Sequence, residues 1–288
     1  MLLYLQKFIQ KIFFRIDKKK SPQSDNIKIC REISRGSFGI VYMGIKNKKY
    51  YAIKILKKLH NKKNDILYQN EIDILKQLNH PNIIKYVESY RKKDKIYIIT
   101  EYYSDSDLFD KIRNYGGKIK EKDAKLIVKQ ILQGVSYLHE HNIIHRDLKL
   151  SNIMFNNNVV KIIDFGGSII TESSALLEDE FGTPGFIAPE VIQGCYNREC
   201  DMWAIGCITF IMLFGFNPFN IRSNNDRSEI YKNVLRGFRN EVLDGYGAFF
   251  PRSIKISFCA RDFIVSLLTD KITRLNVTEA LNHPWIIN

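Results

Sequence analysis

The hydrophobic period changes once along this chain, and that change limits the possible folds more than any other feature. Up to about residue 100, apolar and polar residues alternate in short runs at 27–33, 39–45, 49–56, 84–90 and 95–101, the period-two pattern of strands. Between the third and fourth of these, residues 68–78 have helical spacing. After Asp107 the period lengthens for good: Leu126, Ile127, Ile131, Leu132, Val135 and Leu138 recur at three- and four-residue steps, a stripe that should face a core. A strand-rich part followed by a helix-rich part is an α+β arrangement. A chain of 288 residues, 45% of them apolar, can bury a substantial core, so one two-lobed unit is expected rather than separate domains.

Within the helix-rich part, His145-Arg146-Asp147-Leu148-Lys149-Leu150-Ser151-Asn152 is followed by Asp164-Phe165-Gly166. Those residue types at that spacing suit phosphoryl transfer from ATP. A metaphosphate-like transition state needs charge neutralisation and alignment more than covalent help. Asp147 can accept or orient the proton of an incoming hydroxyl, and Lys149 can reach the same phosphate along an extended loop. Asn152 and Asp164 supply hard oxygens for Mg²⁺, which takes few protein ligands and keeps the rest of its shell for water and phosphate.

With the segments around them, these residues resemble the eukaryotic protein kinases. Ile33-Ser34-Arg35-Gly36-Ser37-Phe38-Gly39-Ile40-Val41 is similar to the family's glycine-rich phosphate loop, Tyr51-Ala52-Ile53-Lys54 to its third-strand lysine motif, and Ala188-Pro189-Glu190 to its later anchor. One lysine among 44 Lys and Arg residues means little alone, but these motifs in fixed order have no competing structural explanation. The resemblance covers 27–286 and implies a bilobed protein kinase fold. The N-lobe, 27–103, would carry an antiparallel five-stranded sheet with one helix; the C-lobe, 104–286, would be mainly α-helical.

The same resemblance implies ATP and Mg²⁺ as cofactors and distributes the roles. Lys54, paired with Glu71, would hold the α and β phosphates; Asp147, Lys149 and Thr183 would serve the transfer; Asn152 and Asp164 would bind the metal. Ile33, Ser34, Gly36, Gly39, Val41, Ala52, Asp107 and Met154 would line the nucleotide, and backbone groups of Glu101 and Tyr103 in the hinge 100–103 would meet the adenine edge. Thr100 would be the gatekeeper, small enough for bulky inhibitors. Gly182-Thr183-Pro184-Gly185-Phe186 resembles the loop facing the residue after the acceptor, and Thr183 with Lys149 implies serine or threonine acceptors. Asp201 would brace the catalytic loop, and Arg274 would be the buried partner of Glu190. Residues 190–219 and 279–285 look most like the calcium/calmodulin-dependent and calcium-dependent protein kinases. No calcium-binding loop follows Trp285, so calcium control is expected from another chain.

Some positions depart from the family pattern. Ser34 replaces the first loop glycine, Phe186 a common tyrosine, and residues 268–273 lack the usual Asp-Pro. Leu150 and Ser151 stand where Pro and Glu are usual, which leaves Asp107 as a weaker reader of an upstream arginine and the acceptor sequence open. Arg146 has a counterpart in many kinases that needs an anion from a phosphorylated activation loop. Here Asp179, in Glu178-Asp179-Glu180, is read as a permanent substitute, giving activity without activation-loop phosphorylation; the alternative is a solvated acidic turn, with Thr171, Ser173 or Ser174 as the switch.

Residues 1–26 lie outside the resemblance. Lys7, Lys11 and Arg15 form one helical stripe opposite Leu2, Leu5, Phe8, Ile9, Ile12, Phe13 and Ile16, a basic amphipathic helix with 21–24 as linker. Its charges forbid a membrane span and a signal-peptide core, and Leu2 excludes myristoylation. For residues 1–20 a membrane surface, a calmodulin-like partner and packing on the N-lobe stay open. Five cysteines without Cys-x-x-Cys spacing point away from zinc or disulfides and toward a reducing intracellular compartment, expected to be the cytoplasm, with peripheral membrane association through residues 1–20 left open. The +13 charge follows partly from a composition rich in Lys, Asn and Ile and specifies no nucleic acid. The expected partners are protein substrates with Ser or Thr acceptors, and the expected state is a monomer. A catalytically silent scaffold is the rival reading; intact Lys54, Glu71, Asp147, Asn152 and Asp164 argue against it.

Overall fold

Short alternating runs build the upper lobe. The computed structural model describes residues 27–36, 39–57, 62–104, 106–172, 175–220 and 226–288. The expected amphipathic helix and linker, and Ser37, Phe38, Ser173 and Ser174, lie outside the described residues. Strands β1 (Lys28–Gly36), β2 (Gly39–Lys46), β3 (Lys49–Lys57), β4 (Tyr86–Lys92) and β5 (Lys95–Glu101) form one antiparallel sheet in the order β1-β2-β3-β5-β4. The β2–β3 turn is local chemistry: Asn47 and Lys48 both take positive φ, 50° and 62°, the hairpin geometry whose twist matches the flanking strands.

Two elements differ from the sequence expectation. The helix expected at 68–78 is α1 (Lys62–Gln77), which starts earlier than its apolar pattern shows; Ile66 and Leu67 are exposed, and the buried apolar face begins at Tyr68. The strand expected at 84–90 is β4, shifted toward the C-terminus. Ile83 and Ile84 are buried against the lower lobe instead, where Ile84 N donates to Ile162 O (3.0 Å) and Ile162 N to Asn82 O (2.8 Å).

The lower lobe contains α2 (Leu108–Asn114), α3 (Glu121–Glu140), α4 (Pro189–Ile192), α5 (Glu199–Phe214), α6 (Arg227–Arg236), α7 (Phe258–Leu267), α8 (Val277–Leu281) and α9 (Pro284–Ile287). Helix α5 is apolar all round, every residue from Cys200 to Phe214 is buried, and α3 and α7 pack on it. On α3 the expected stripe holds at Ile127, Ile131, Leu132, Val135 and Leu138 but not at Leu126, which is 52% exposed. At about 100° per residue, Leu126 lies about 140° round the axis from Ile131 and so outside the buried face. Two short antiparallel pairs, β6 (Ile143–Ile144) with β9 (Ile169–Ile170) and β7 (Ile153–Asn156) with β8 (Val159–Ile162), hold the segments 145–152 and 163–168 between them, beside the upper lobe. All five cysteines are free thiols.

Candidate active site

Lys54 sits on β3 and Glu71 on the buried face of α1, so the packing of that helix brings the two together. Lys54 Nζ donates to Glu71 Oε1 (2.7 Å) and to Asp164 Oδ1 (2.8 Å), with the Lys54 side chain 15% and the Glu71 side chain 3% exposed. Burial alone would lower the Lys54 pKa; Glu71 and Asp164 outweigh it and hold the proton on. Burial pushes Glu71 above the usual carboxylate range against the pull of Lys54, and the neighbouring Asp164 charge adds to the rise. Asp164 is pushed up by burial too, but Lys54 more than offsets this and its pKa is lowered. Asp164 adopts a left-handed φ of 62° and Arg146 one of 67°, conformations costing about 1–3 kcal/mol at such residues that persist only when the surroundings over-determine them.

The surroundings do so around residues 145–152. Asp201, buried on α5, accepts from His145 N (3.0 Å) and His139 Nε2 (3.0 Å) through Oδ2, and from Arg146 N (2.9 Å) through Oδ1. Burial opposes its charge, but the hydrogen bond from His139 prevails and lowers its pKa. Asp147 accepts from Thr183 Oγ1 (2.7 Å) at Oδ1 and from Lys149 Nζ (2.8 Å) at Oδ2, while Lys149 Nζ also donates to Thr183 Oγ1 (2.8 Å). Asn152 Nδ2 donates to Asp147 O (2.8 Å), so the nitrogen of that amide anchors it and Oδ1 is left for a cation. One backbone bond joins this group to the Lys54 group: Ile163 N, beside Asp164, donates to Asn152 O (2.9 Å).

The expected nucleotide-lining residues fall on the sheet and just below it. Ser34 pairs with Val41 across β1 and β2, Gly36 with Gly39 at the turn, and Ala52 with Thr100 across β3 and β5; Ile33 lies at a register irregularity between Glu32 and Ser34. Met154, on β7, is bridged to Asp107. In the hinge, Glu101 N donates to Lys85 O (2.9 Å) and the Tyr103 carbonyl accepts from Asn156 Nδ2 (3.3 Å), so these two groups are already bonded within the protein. The Asp107 carboxylate caps α2, accepting from Asp110 N (2.8 Å), and burial raises its pKa.

Arg146 ties together the segment that runs from Asp164 to Glu190. Its Nε donates to Gly167 O (2.6 Å), and one terminal nitrogen donates to both Asp179 oxygens (3.0 and 2.8 Å) and to Tyr196 Oη (3.1 Å). Tyr196 in turn donates to Asp179 Oδ1 (3.0 Å). A Cβ at Gly167 would overlap the Phe181 ring, so a larger residue there would displace that ring. The Arg146 side chain is 6% exposed, so Asp179 faces a largely desolvated cation. At the far end Glu190 and Arg274 form a buried bidentate pair, with Arg274 donating further to Thr269 O (2.9 Å) and Glu199 O (2.9 Å) and lying over the Trp203 ring.

Sequence reasoning passed over His139 and Tyr196. His139 lies on the apolar face of α3, where a histidine resembles any core residue, and the tyrosine belongs to no local pattern.

The model of the protein kinase domain matches residues 27–286. Calcium/calmodulin-dependent protein kinase type IV of Rattus norvegicus is 39% identical over 277 residues, covering 93% of this chain and 56% of that protein. Myosin light chain kinase A of Dictyostelium discoideum is 40% identical over 264 residues, covering 88% of this chain and 86% of its own. Calcium-dependent protein kinase 4 of Plasmodium berghei (strain Anka) is 37% identical over 279 residues, covering 92% and 50%. The chain therefore spans about half the length of the rat and Plasmodium relatives.

Proposed function

The chain belongs to the protein kinase family and, within it, to the calcium/calmodulin-dependent kinase group, and we propose that it transfers the γ-phosphoryl group of ATP to serine or threonine hydroxyls of proteins. The observation that carries this reading is the linked pair of clusters, Lys54 with Glu71 and Asp164, and Asp147 with Lys149, Thr183 and Asn152, joined by the Ile163–Asn152 backbone bond. Glu71 aims the Lys54 ammonium at the nucleotide phosphates. Asp147, already oriented by Thr183, Lys149 and Asn152, takes or orients the proton of the acceptor hydroxyl. Lys149 stabilises negative charge beside it, and Thr183 fixes the loop that the acceptor approaches.

Hard oxygens on Asn152 and on Asp164, with Asp164 held ionised, fit Mg²⁺. When bound, Mg²⁺ supplies charge neutralisation at the phosphates. Val41 and Ala52 from the sheet and Met154 from below would enclose the adenine, with Thr100, Glu101 and Tyr103 at its edge, and Ile33, Ser34, Gly36, Gly39 and Asp107 would complete the lining.

The Arg146–Asp179–Tyr196 network supports a second element of the reading, that Asp179 gives activity without activation-loop phosphorylation. Charge-assisted hydrogen bonds to a buried guanidinium are the stronger kind. No helix among the described residues is long and apolar enough to cross a membrane. The amphipathic pattern of residues 1–20 supports a peripheral contact there with a membrane surface or a calmodulin-like partner, in a monomer working in the cytoplasm.

The test uses protein shown by mass to be free of phosphate, incubated with Mg²⁺, γ-labelled ATP and a basic acceptor protein. Label is expected on serine and threonine without prior treatment, and Asp179→Asn is expected to lower that labelling. Label on tyrosine alone would contradict the acceptor assignment, and silence of the wild type until another kinase treats it would contradict the role of Asp179.

A further inference from the structure

The stretch from Glu180 to Ile187, which on the kinase reading faces the acceptor protein, is held at three points. In the middle, Thr183 lies between Asp147 and Lys149. At Gly185 the carbonyl accepts from Asn217 Nδ2 (3.0 Å), in the turn that follows α5. At the start, Glu180 accepts from the Tyr231 hydroxyl and pairs with Arg227, both on α6, while Arg227 Nε donates to Tyr231 Oη (2.9 Å).

Asn217 is the sharpest of these contacts. Its Oδ1 accepts from Phe219 N (2.9 Å) and Asn220 N (3.0 Å), which fixes the amide orientation by chemistry and leaves Nδ2 aimed at Gly185 O. Gly185 has a left-handed φ of 90°, and a Cβ there would come within 2.9 Å of Asn217 Nδ2, so the contact needs both residues as they are. The Arg227–Glu180 pair is weaker, because Arg227 is 60% exposed and exposed ion pairs contribute little.

We propose that Asn217 is a positioning residue for acceptor-protein binding. Acting through the Gly185 carbonyl, it sets the shape of the loop on which the acceptor lies, and the Arg227–Tyr231 grip on Glu180 steadies the same loop at its other end. The proposal rests on the kinase reading, and it assigns Asn217 no part in nucleotide binding, since its bonds run to Gly185, Phe219 and Asn220.

The test is steady-state kinetics of the full chain with a basic acceptor protein, varying acceptor and ATP separately. Asn217→Asp keeps an acceptor oxygen for the Phe219 and Asn220 N–H groups, and so keeps the turn, but sets a second oxygen against the Gly185 carbonyl. KM for the acceptor is expected to rise about fivefold, the size of one lost hydrogen bond, with KM for ATP unchanged and the melting temperature lowered by no more than the roughly 2–4 °C that one lost hydrogen bond implies. Asn217→Ala should move the acceptor KM in the same direction. An acceptor KM equal to that of the wild type, or a rise shared by the KM for ATP, overturns the proposal and leaves the kinase reading standing. A wild type that labels no acceptor overturns both.

Discussion

Replacing Asp147 by asparagine is expected to slow phosphoryl transfer by about 10²- to 10⁴-fold, the usual contribution of a positioned acid–base group. The side chains match in shape, so the substitution acts on charge and hydrogen bonding. Asp147 accepts from Thr183 at one oxygen and from Lys149 and, at 3.3 Å, Asn152 Nδ2 at the other. An amide presents one acceptor and one donor, so it can receive the donors on only one side and opposes those on the other. It also cannot take a proton from the acceptor hydroxyl. The bond from Asn152 to the Asp147 backbone carbonyl is untouched, as is the Lys54 cluster. Binding of ATP and the melting temperature should therefore stay near wild type while kcat falls. Comparing kcat and KM for ATP in a labelling assay checks this, and a loss of less than about tenfold would remove Asp147 from the chemistry.

The largest stability effect is expected at Arg274. With 0% of its side chain exposed and 4% of that of Glu190, each charge depends on the other for its compensation. Removing one partner of a buried pair costs about 3–5 kcal/mol, because an uncompensated charge is left inside. In a domain of this size each kcal/mol moves the melting temperature by roughly 2–4 °C, so Arg274→Ala or Glu190→Ala should lower it by about 6–20 °C. The double variant Arg274→Met/Glu190→Leu should recover much of the loss, since it leaves no unpaired charge. Thermal unfolding of the three variants measures this directly. Equal losses in the single and double variants would show that packing on Trp203 and the bonds to Thr269 and Glu199, rather than the ion pair, carry the stability.

How far the molecule was legible in its sequence depends on the range of the interactions. The loop 145–152 was readable because its charged residues are close together in the chain and each type has one use in phosphoryl transfer. The five strands were readable from their period, yet β4 was displaced because Ile83 and Ile84 satisfy their burial in the other lobe, a contact that no local pattern records. Leu126 misled for the same reason, since a periodic stripe does not say where the packed face ends. The Arg146–Asp179 contact could be anticipated from the family resemblance together with the acidic run 178–180, but Tyr196 as its third member could not. Asn217 left no signal at all, because an asparagine after a helix usually means a turn, and here the turn is what aims it at Gly185.

The central claim is that an ammonium on a strand, a loop carboxylate and two cation-holding oxygens meet around the end of a nucleotide. A crystal structure with Mg²⁺ and a non-hydrolysable ATP analogue tests it most directly. The expected result places Lys54 Nζ on the α and β phosphates, and Asn152 Oδ1 and Asp164 on Mg²⁺ at about 2.1 Å. Asp147 should face the terminal phosphate from the acceptor side. A nucleotide bound elsewhere, or a metal that engages neither Asn152 nor Asp164, would contradict the account.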